Sequence, residues 1–418
     1  MPTETKVLPR SDHLTYRGNS KHSRYGWLRL TPAFGVRLIQ DNVRGLPSGA
    51  KVLDPFCGTG TTALICAEEG VHAETTDINP FLLWLGRAKC ASYSPKDLLE
   101  AKKSSDAVIR AIRSTNGVQP WVPPLFQIEK WWAAPILEKV GKARAVIEDK
   151  KEQIGESALD LLKVIFCRVM IETANVSFGH QSMSFKQPDD QLLLDMPKDI
   201  ADIVASSWND AADSILKAAE SQISVQPDFV QCDARNLTRE LEPDSFDCVI
   251  TSPPYPNRMS YIRELRPYMY WLGYLEGARQ AGELDWEAIG GTWGCATSKL
   301  MTWCRPDGLE VPYEGFGKIL AAIEDANIQS GRVLSKYVEK YFCDMVGHAR
   351  ELFSVVRPGG TVHYVVGNSK FYDVMLPVEG IFAALFDSAG FVDTRVETIR
   401  KRTSKKELFE YIVHARKP

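Results

Sequence analysis

The sequence has nine cysteines but no Cys-x-x-Cys pair, which argues against a zinc ribbon and against a secreted disulfide framework. It has no uncharged apolar stretch of membrane-spanning length, because the most apolar helical segment, residues 157–171, contains Asp160, Lys163 and Arg168. The N-terminal residues lack the apolar region of a signal peptide, and no internal repeat or low-complexity tract occurs. These absences leave a chain of 418 residues whose 44% hydrophobic content is typical of a globular protein. We expect it to lie in a reducing cytoplasm, without a membrane partner.

The formal net charge of −3 conceals two basic ends. Residues 1–30 contain six Lys and Arg against two acids, and residues 395–418 contain eight against three, so the segment between them is acidic. Two basic ends on an acidic body are typical of a phosphate-binding surface, and solvated tails with a charged hairpin are the alternative. Charge alone does not choose between them.

The pattern of apolar runs predicts an α/β fold. From residue 50, short apolar runs alternate with amphipathic helices, as βαβ units require in order to bury a parallel sheet on both faces. We therefore expect an open, doubly wound sheet. Its strands are predicted at 51–56, 72–78, 229–233, 246–250 and 361–366, with helices at 61–69, 80–90 and 378–389. The runs 394–399 and 409–413 flank Arg400-Lys-Arg-Thr-Ser-Lys-Lys and predict a terminal antiparallel hairpin.

Two insertions interrupt this alternation. Residues 97–225 are mostly helical in pattern and show no strand of comparable quality. Within this block we expect Trp121, Trp131 and Trp132 to be core residues rather than a stacking platform. A second insertion at about 279–330 is rich in Gly, Trp and Pro.

The first chemical signal is Asp54-Pro-Phe-Cys-Gly-Thr-Gly-Thr-Thr, where a strand end delivers two glycines to a helix N-terminus. Glycine lets the backbone approach a ligand closely, and the free N–H groups of the first helical turn face an electronegative group. The motif is neither a Walker loop nor a complete G-x-G-x-x-G fingerprint. Asp77 and Asp233 end the next two predicted strands, where a carboxylate can accept ribose hydroxyls. Each acid alone is typical of a cap or a turn, but three such acids beside a glycine loop indicate a nucleoside pocket.

The second signal is Thr251-Ser-Pro-Pro-Tyr-Pro-Asn, at the end of the strand 246–250. Two consecutive prolines keep the backbone extended and donate no hydrogen bonds, so nearby carbonyls become rigid acceptors. Tyr255 adds a flat ring beside them. An isolated Pro-Pro-Tyr is usually a turn or a peptide motif, but its position at the carboxyl end of a strand, opposite the glycine loop, favours a site.

Together, these two motifs resemble those of the S-adenosylmethionine-dependent DNA amino-methyltransferases, the N4-cytosine and N6-adenine family of the Ser-Pro-Pro-Tyr type. Weaker matches are His22-Ser-Arg-Tyr-Gly-Trp, and Arg357-Pro-Gly-Gly with Val365-Val-Gly-Asn-Ser. The resemblance covers about 20–95 and 228–418 but not the helical block, and the cofactor motif precedes the catalytic motif, unlike the order in many such enzymes. It implies a Rossmann-like methyltransferase sheet with a large helical insertion. We expect a division into 1–96 with the cofactor-binding half, 97–225 as a helical insertion, and 226–418 with the catalytic half. The insertions at 97–225 and at about 279–330 are both candidates for target recognition.

The resemblance also implies roles for individual residues. The catalytic residues would be Ser252, Pro253, Pro254 and Tyr255, with Ser252 and the Pro253 carbonyl accepting the amino protons and Tyr255 stacking on the base. The cofactor-binding residues would be Asp54, Phe56, Gly58, Gly60, Thr61, Asp77 and Asp233. Methyl transfer by in-line displacement requires no metal. The sequence contains no Pro-Cys dipeptide, which favours Cys57 as a packing residue rather than a cytosine C5 nucleophile.

Further residues are candidates for substrate contact. Asn257, Arg258, Tyr261 and Arg263 directly follow the catalytic motif, with a solvated helix start as the alternative. The polar loop 177–186 offers His180, Gln181 and Lys186 to base edges or phosphates, with an ordinary surface loop as the alternative.

The sequence thus predicts a site-specific methyltransferase acting on N4 of cytosine in duplex DNA, since the resemblance associates Ser before Pro-Pro-Tyr more with cytosine than with adenine. Alternatives are N6-adenine methylation, a tRNA or rRNA base methyltransferase, and a binding protein that has lost turnover. A cognate restriction endonuclease or phage-defence proteins are the expected partners.

Overall fold

The computed structural model describes residues 23–28, 30, 35–115, 117–177, 184–186, 199–292, 296–402 and 407–418. The helices are α1 (Val36–Arg44), α2 (Thr61–Glu68), α3 (Pro80–Cys90), α4 (Pro95–Arg113), α5 (Ile128–Trp131), α6 (Ala134–Lys150), α7 (Glu156–Glu172), α8 (Ile200–Ala219), α9 (Tyr261–Trp271), α10 (Ala278–Glu287), α11 (Ala296–Thr302), α12 (Phe316–Asp325), α13 (Gly331–Val355) and α14 (Val378–Ala389). The strands are β1 (Lys51–Asp54), β2 (His72–Asp77), β3 (Val176–Ser177), β4 (Ser184–Phe185), β5 (Asp228–Gln231), β6 (Phe246–Thr251), β7 (Val356–Gly367), β8 (Ser369–Phe371), β9 (Val374–Leu376), β10 (Val392–Lys401) and β11 (Phe409–Arg416).

Seven strands form the main sheet, in the order β10-β11-β7-β6-β1-β2-β5. The pairs from β5 through β7 are parallel, while β11 runs antiparallel to both β7 and β10. This arrangement confirms the predicted Rossmann-like doubly wound sheet with a terminal antiparallel hairpin. From β1 the chain continues to β2 on one side of β1, whereas β6 lies on the opposite side of β1. A topological switch point therefore lies between β1 and β6.

Alternate residues of the central strands face opposite layers of helices. Val52 and Cys248 pack with α1 and α2, whereas their neighbours Leu53 and Val249 pack with α13 and α14. Because both faces are covered, these strands consist of almost continuous buried residues. The two helical layers therefore leave the carboxyl ends of the strands as the open edge of the sheet.

The helical block packs as one core with α3 and α9. Trp132, Trp208 and Trp271 are fully buried there, and Trp131 is also buried. The expectation for Trp121 was wrong: this side chain is 40% exposed, with its ring 5.0 Å from the Arg144 guanidinium, because it lies in the connection between α4 and α5 rather than on a buried helix face. In the portion of the chain that the structure describes, no helix has the length and apolar character needed to cross a membrane.

Candidate active site

The glycine loop joins β1 to α2 and depends on two positive backbone dihedrals. Gly58 has φ 51° and Gly60 has φ 71°, in the left-handed region that favours glycine. A Cβ on Gly60 would lie 2.9 Å from the Cα of Gly86 in α3, so the close approach of α2 and α3 requires a glycine at position 60. The loop therefore places the first turn of α2 directly behind the switch point.

Asp77 is the last residue of β2, and its carboxylate lies against the loop. One oxygen accepts a hydrogen bond from the Gly58 N–H at 3.1 Å, and the other accepts from the Asn79 N–H at 2.9 Å. Burial raises the pKa of Asp77 to about 6, although these backbone donors oppose the shift. Each oxygen of an ionised carboxylate has a second lone pair, so Asp77 can accept two further hydrogen bonds.

Asp233 follows β5 and caps a 3₁₀ turn, Ala234–Arg239. Arg235 contacts it through the backbone N–H at 2.9 Å and through Nη2 at 2.6 Å. Burial raises the pKa of Asp233, but hydrogen bonds and charge from Arg235 outweigh burial, and the pKa lies below its usual value. Arg235 also binds Asp344 and the Glu287 carbonyl, so Asp233 is held ionised within a fixed network.

The Ser-Pro-Pro segment leaves β6 beside the glycine loop. The Thr251 hydroxyl donates to Asp54 Oδ1 at 2.5 Å, which ties the end of β6 to the end of β1. The Ser252 hydroxyl donates to the Val365 carbonyl at 3.0 Å, and Tyr341 donates to the Pro254 carbonyl at 2.7 Å. Because the Ser252 proton is directed at β7, the lone pairs of its oxygen remain to accept a hydrogen bond from a ligand.

Tyr255 is buried against the terminal hairpin. Its hydroxyl donates to Glu410 Oε1 at 3.1 Å, and its backbone N–H donates to the Tyr261 hydroxyl at 3.1 Å. The guanidinium of Arg402 lies over the ring, 5.0 Å from its centroid. Burial raises the pKa of Tyr255 well above its usual value, so the phenol stays protonated.

A cleft at the carboxyl edge of the sheet unites the two motifs. Its volume is about 1030 Å³, counted with the open solvent at its mouth. Of the predicted site residues it brings together Phe56, Gly58, Asp77, Asp233, Ser252, Pro253, Pro254 and Tyr261. The remaining lining is largely apolar, including Leu30, Ile78, Leu82 and Ile289. Apolar walls with a few converging polar groups are typical of a small-molecule site.

Other predicted site residues lie outside this lining. Asp54 is buried behind the loop, where burial raises its pKa to about 7, and Gly60 and Thr61 form the start of α2. Arg258 is exposed with φ 64°, next to Asn257.

The other two cations that were predicted to contact the substrate, Arg263 and Lys186, lie near the helical block. Arg263 lines a separate cavity with Glu264 and Arg266, and Lys186 donates to the Ala174 carbonyl at 3.4 Å. His180 and Gln181 are outside the described residues.

Two buried side chains that the sequence patterns did not reveal support the cleft. Lys89 donates from Nζ to the Thr59 carbonyl at 2.9 Å, and burial lowers its pKa to about 8. His348 lies under Phe56, with ring centroids 4.9 Å apart, and Nδ1 is 2.7 Å from the Ala234 carbonyl. Burial lowers the pKa of His348 to about 4, so it is neutral. Both lie within helices, α3 and α13, and nothing in the surrounding sequence pattern distinguishes them from other helical residues.

The chain is similar to several Type II methyltransferases over most of its length. It is 21% identical to M.BsoBI from Geobacillus stearothermophilus, covering 95% of this chain and 85% of that protein. Identity to M.AvaI from Nostoc sp. is 19%, covering 90% and 81%. Identity to M.MvaI from Kocuria varians is 22%, covering 85% and 78%.

No family model matches the chain. Among solved structures, the rRNA methyltransferase aviRa from Streptomyces viridochromogenes aligns over 93% of this chain and 87% of that chain at 12% identity. Its TM-score is 0.29, so this match carries no argument about fold or function. The sequence relatives confirm the predicted resemblance to methyltransferases. The similarity to these Type II methyltransferases implies S-adenosylmethionine as the methyl donor.

Proposed function

We propose that this protein is a site-specific DNA methyltransferase that modifies the exocyclic N4 of cytosine, with the target base flipped out of the duplex. One observation carries the proposal: the glycine loop with Asp77 faces the same cleft as Ser252 and Pro253. The similarity to Type II methyltransferases supports duplex DNA as the substrate.

The residues at the glycine-loop end of the cleft fit S-adenosylmethionine, which when bound supplies an electrophilic methyl group. Asp77 has two remaining acceptor positions for the two hydroxyls of a ribose. The Phe56 ring and the apolar lining suit the uncharged parts of a nucleoside. Asp233 accepts from Arg235 at both oxygens, through the backbone N–H, Nε and Nη2, so an exocyclic amino group would bind there by replacing one of these contacts.

Ser252 and Pro253 would act on the target amino group. The lone pair of an exocyclic amino nitrogen is delocalised into its ring, and acceptors that bind the amino protons localise it on nitrogen. Ser252 meets this requirement, because its own proton is engaged by the Val365 carbonyl. The Pro253 carbonyl would be the second acceptor, on a backbone kept extended by the proline that follows it. The rate would come mainly from positioning.

The DNA contacts would come from the segment after the catalytic motif. Arg258 is exposed next to Asn257, and its left-handed conformation places it in a backbone region that costs about 1–2 kcal/mol for a non-glycine residue. Such strain is typical of functional positions. We include Arg263 and Lys186, with His180 and Gln181, as proposed contacts, and a cognate restriction endonuclease or phage-defence protein as the proposed partner.

Sequencing of DNA from cells that express the protein tests this function. A modification-sensitive readout should show N4-methylcytosine at one defined sequence, with a smaller modified fraction in cells that express Ser252→Ala. N6-methyladenine at a defined sequence would select the alternative target. DNA without any added modification, from cells in which the folded protein is present, would contradict the proposal.

A further inference from the structure

We propose that Arg402 stacks on the ring of Tyr255 in the free protein and that the target base displaces it when the base binds. Binding of the base would then be an exchange of one planar group for another. This inference rests on the proposed function, because it assigns the position of the flipped base to the ring of Tyr255.

Arg402 lies on the ring in a well-defined geometry. Its guanidinium carbon is 5.0 Å from the ring centroid, and Nη1 donates to the Asn368 carbonyl at 3.0 Å. A Cβ on Gly367 would lie 2.5 Å from that Nη1 and 3.0 Å from Cε2 of Tyr255. The glycine at the end of β7 therefore leaves the space in which the guanidinium and the ring meet.

The ring itself is held in place by groups other than Arg402. Glu410 in β11 accepts from the Tyr255 hydroxyl at 3.1 Å, and its second oxygen accepts from Arg400 Nε at 2.7 Å. Tyr261 accepts from the Tyr255 backbone N–H at 3.1 Å. Because Tyr255 is fixed at both its hydroxyl and its backbone, Arg402 is the partner that can move.

The face of Tyr255 cannot accommodate both groups. Stacked aromatic rings lie with centroids about 4.5–7 Å apart, and the guanidinium already occupies this distance range. Tyr255 is only 6% exposed and does not line the cleft, so a base would reach its ring by taking the place of the guanidinium. A guanidinium is planar and stacks on aromatic rings, which makes it a fitting temporary substitute for a nucleobase. Stacking of the target base on Tyr255 therefore requires that Arg402 leave.

This exchange has a measurable signature in binding affinity. A duplex with the target base must displace Arg402, whereas the same duplex with an abasic site at the target position need not. Both duplexes present the same phosphates, so any contact of Arg402 with the DNA backbone cancels in the ratio of their dissociation constants. In Arg402→Ala, the preference for the base-containing duplex should increase by about 2- to 30-fold, the range that a cation–π contact spans.

The test first measures methyl transfer by the wild-type protein to duplex DNA, and then titrates wild type and variants with the two duplexes at the modified sequence. Arg395→Ala is the matched control, because it removes an exposed cation from strand β10, which ends one residue before Arg402. It should leave the ratio unchanged. In a Tyr255→Ala background, Arg402→Ala should also leave the ratio unchanged, because the shared ring is absent.

The outcomes separate the two proposals. If the wild type methylates duplex DNA but Arg402→Ala has the wild-type ratio, the exchange is refuted and the proposed function stands. An equal increase in Arg402→Ala and Arg395→Ala would also refute it, because the effect would then be one of net charge. If the folded wild type transfers no methyl group to DNA, the proposed function fails, and this inference fails with it.

Discussion

Asp77 carries the clearest electrostatic feature of the cofactor end of the cleft. Its pKa of about 6 lies above the usual value because the carboxyl is buried, so it is ionised above about pH 6 and neutral below. A neutral carboxyl has fewer acceptor positions for two hydroxyls. We predict that the affinity for S-adenosylmethionine falls as the pH drops below about 6, measured by calorimetric titration.

The same titration with variants isolates this residue. Asp77→Ala should lose about 1–3 kcal/mol of binding free energy, the scale of leaving buried polar groups unpaired, and most of the pH dependence. Asp373→Ala, which changes a fully exposed carboxylate, is the control and should match wild type. Equal affinity in Asp77→Ala and wild type would remove Asp77 from the pocket.

We propose for Ser252 a role in the chemical step rather than in cofactor binding. We predict that Ser252→Ala slows single-turnover methyl transfer by about 10- to 100-fold, the scale of a hydrogen bond to a charged group. Its affinity for S-adenosylmethionine should remain that of wild type. Ser245→Ala is the control, because Ser245 directly precedes β6, whereas Ser252 follows it, and its hydroxyl donates to the Glu242 carbonyl. A wild-type rate for Ser252→Ala would make the acceptor role wrong.

At the level of single residues, the sequence located groups at strand ends but not their partners. Asp77 and Ser252 could be assigned to one cleft because parallel strands end at the same edge of a sheet. The contacts of Arg402 with Tyr255 and of Arg235 with Asp344 could not, because each joins residues far apart in the chain. Such pairs depend on the tertiary arrangement, which no local pattern encodes.

Among the secondary-structure elements, the contact of α2 with α3 is sensitive to a single methyl group at Gly60. We predict that Gly60→Ala destabilises the protein by about 2–4 kcal/mol, from positive-φ strain plus overpacking against Gly86. Thermal unfolding of Gly70→Ala provides the control: Gly70 has φ 73° but nothing within 4 Å of a Cβ. The excess loss in Gly60→Ala measures the helix contact, and equal losses in the two variants would contradict it.

Most sheet strands could be predicted because their apolar runs end at turn signals. The structure adds elements that the patterns left unassigned: the 25-residue helix α13 and the short pairs β3–β4 and β8–β9. Two- and three-residue strands are too short to show periodicity. The buried face of α13 is set by packing against α12, α14 and the sheet, so its helix length follows from the tertiary structure.

For the whole molecule, ion pairing reduces the basic character of the C-terminal segment. Arg400 pairs with Glu410, Arg416 with Asp393 and Lys417 with Asp244. These cations stabilise the hairpin and its neighbours, so the sequence count overstates the charge available to phosphates. On B-DNA, each phosphate contact contributes about −0.9 to the slope of log affinity against log salt concentration. We predict a slope that corresponds to fewer contacts than the eight Lys and Arg residues of 395–418. Filter binding of duplex DNA over a range of salt concentrations would show it, and a slope near −7 or steeper would contradict this count.

The most direct test of the whole account is transfer of a radiolabelled methyl group from S-adenosylmethionine to purified nucleic acids, followed by nucleoside mass spectrometry. We expect label in duplex DNA, recovered as N4-methylcytosine. Label recovered as N6-methyladenine would replace the target base while retaining the cleft and its residues. Label that enters only tRNA or rRNA, or none in any nucleic acid, would contradict the assignment of this protein as a DNA methyltransferase.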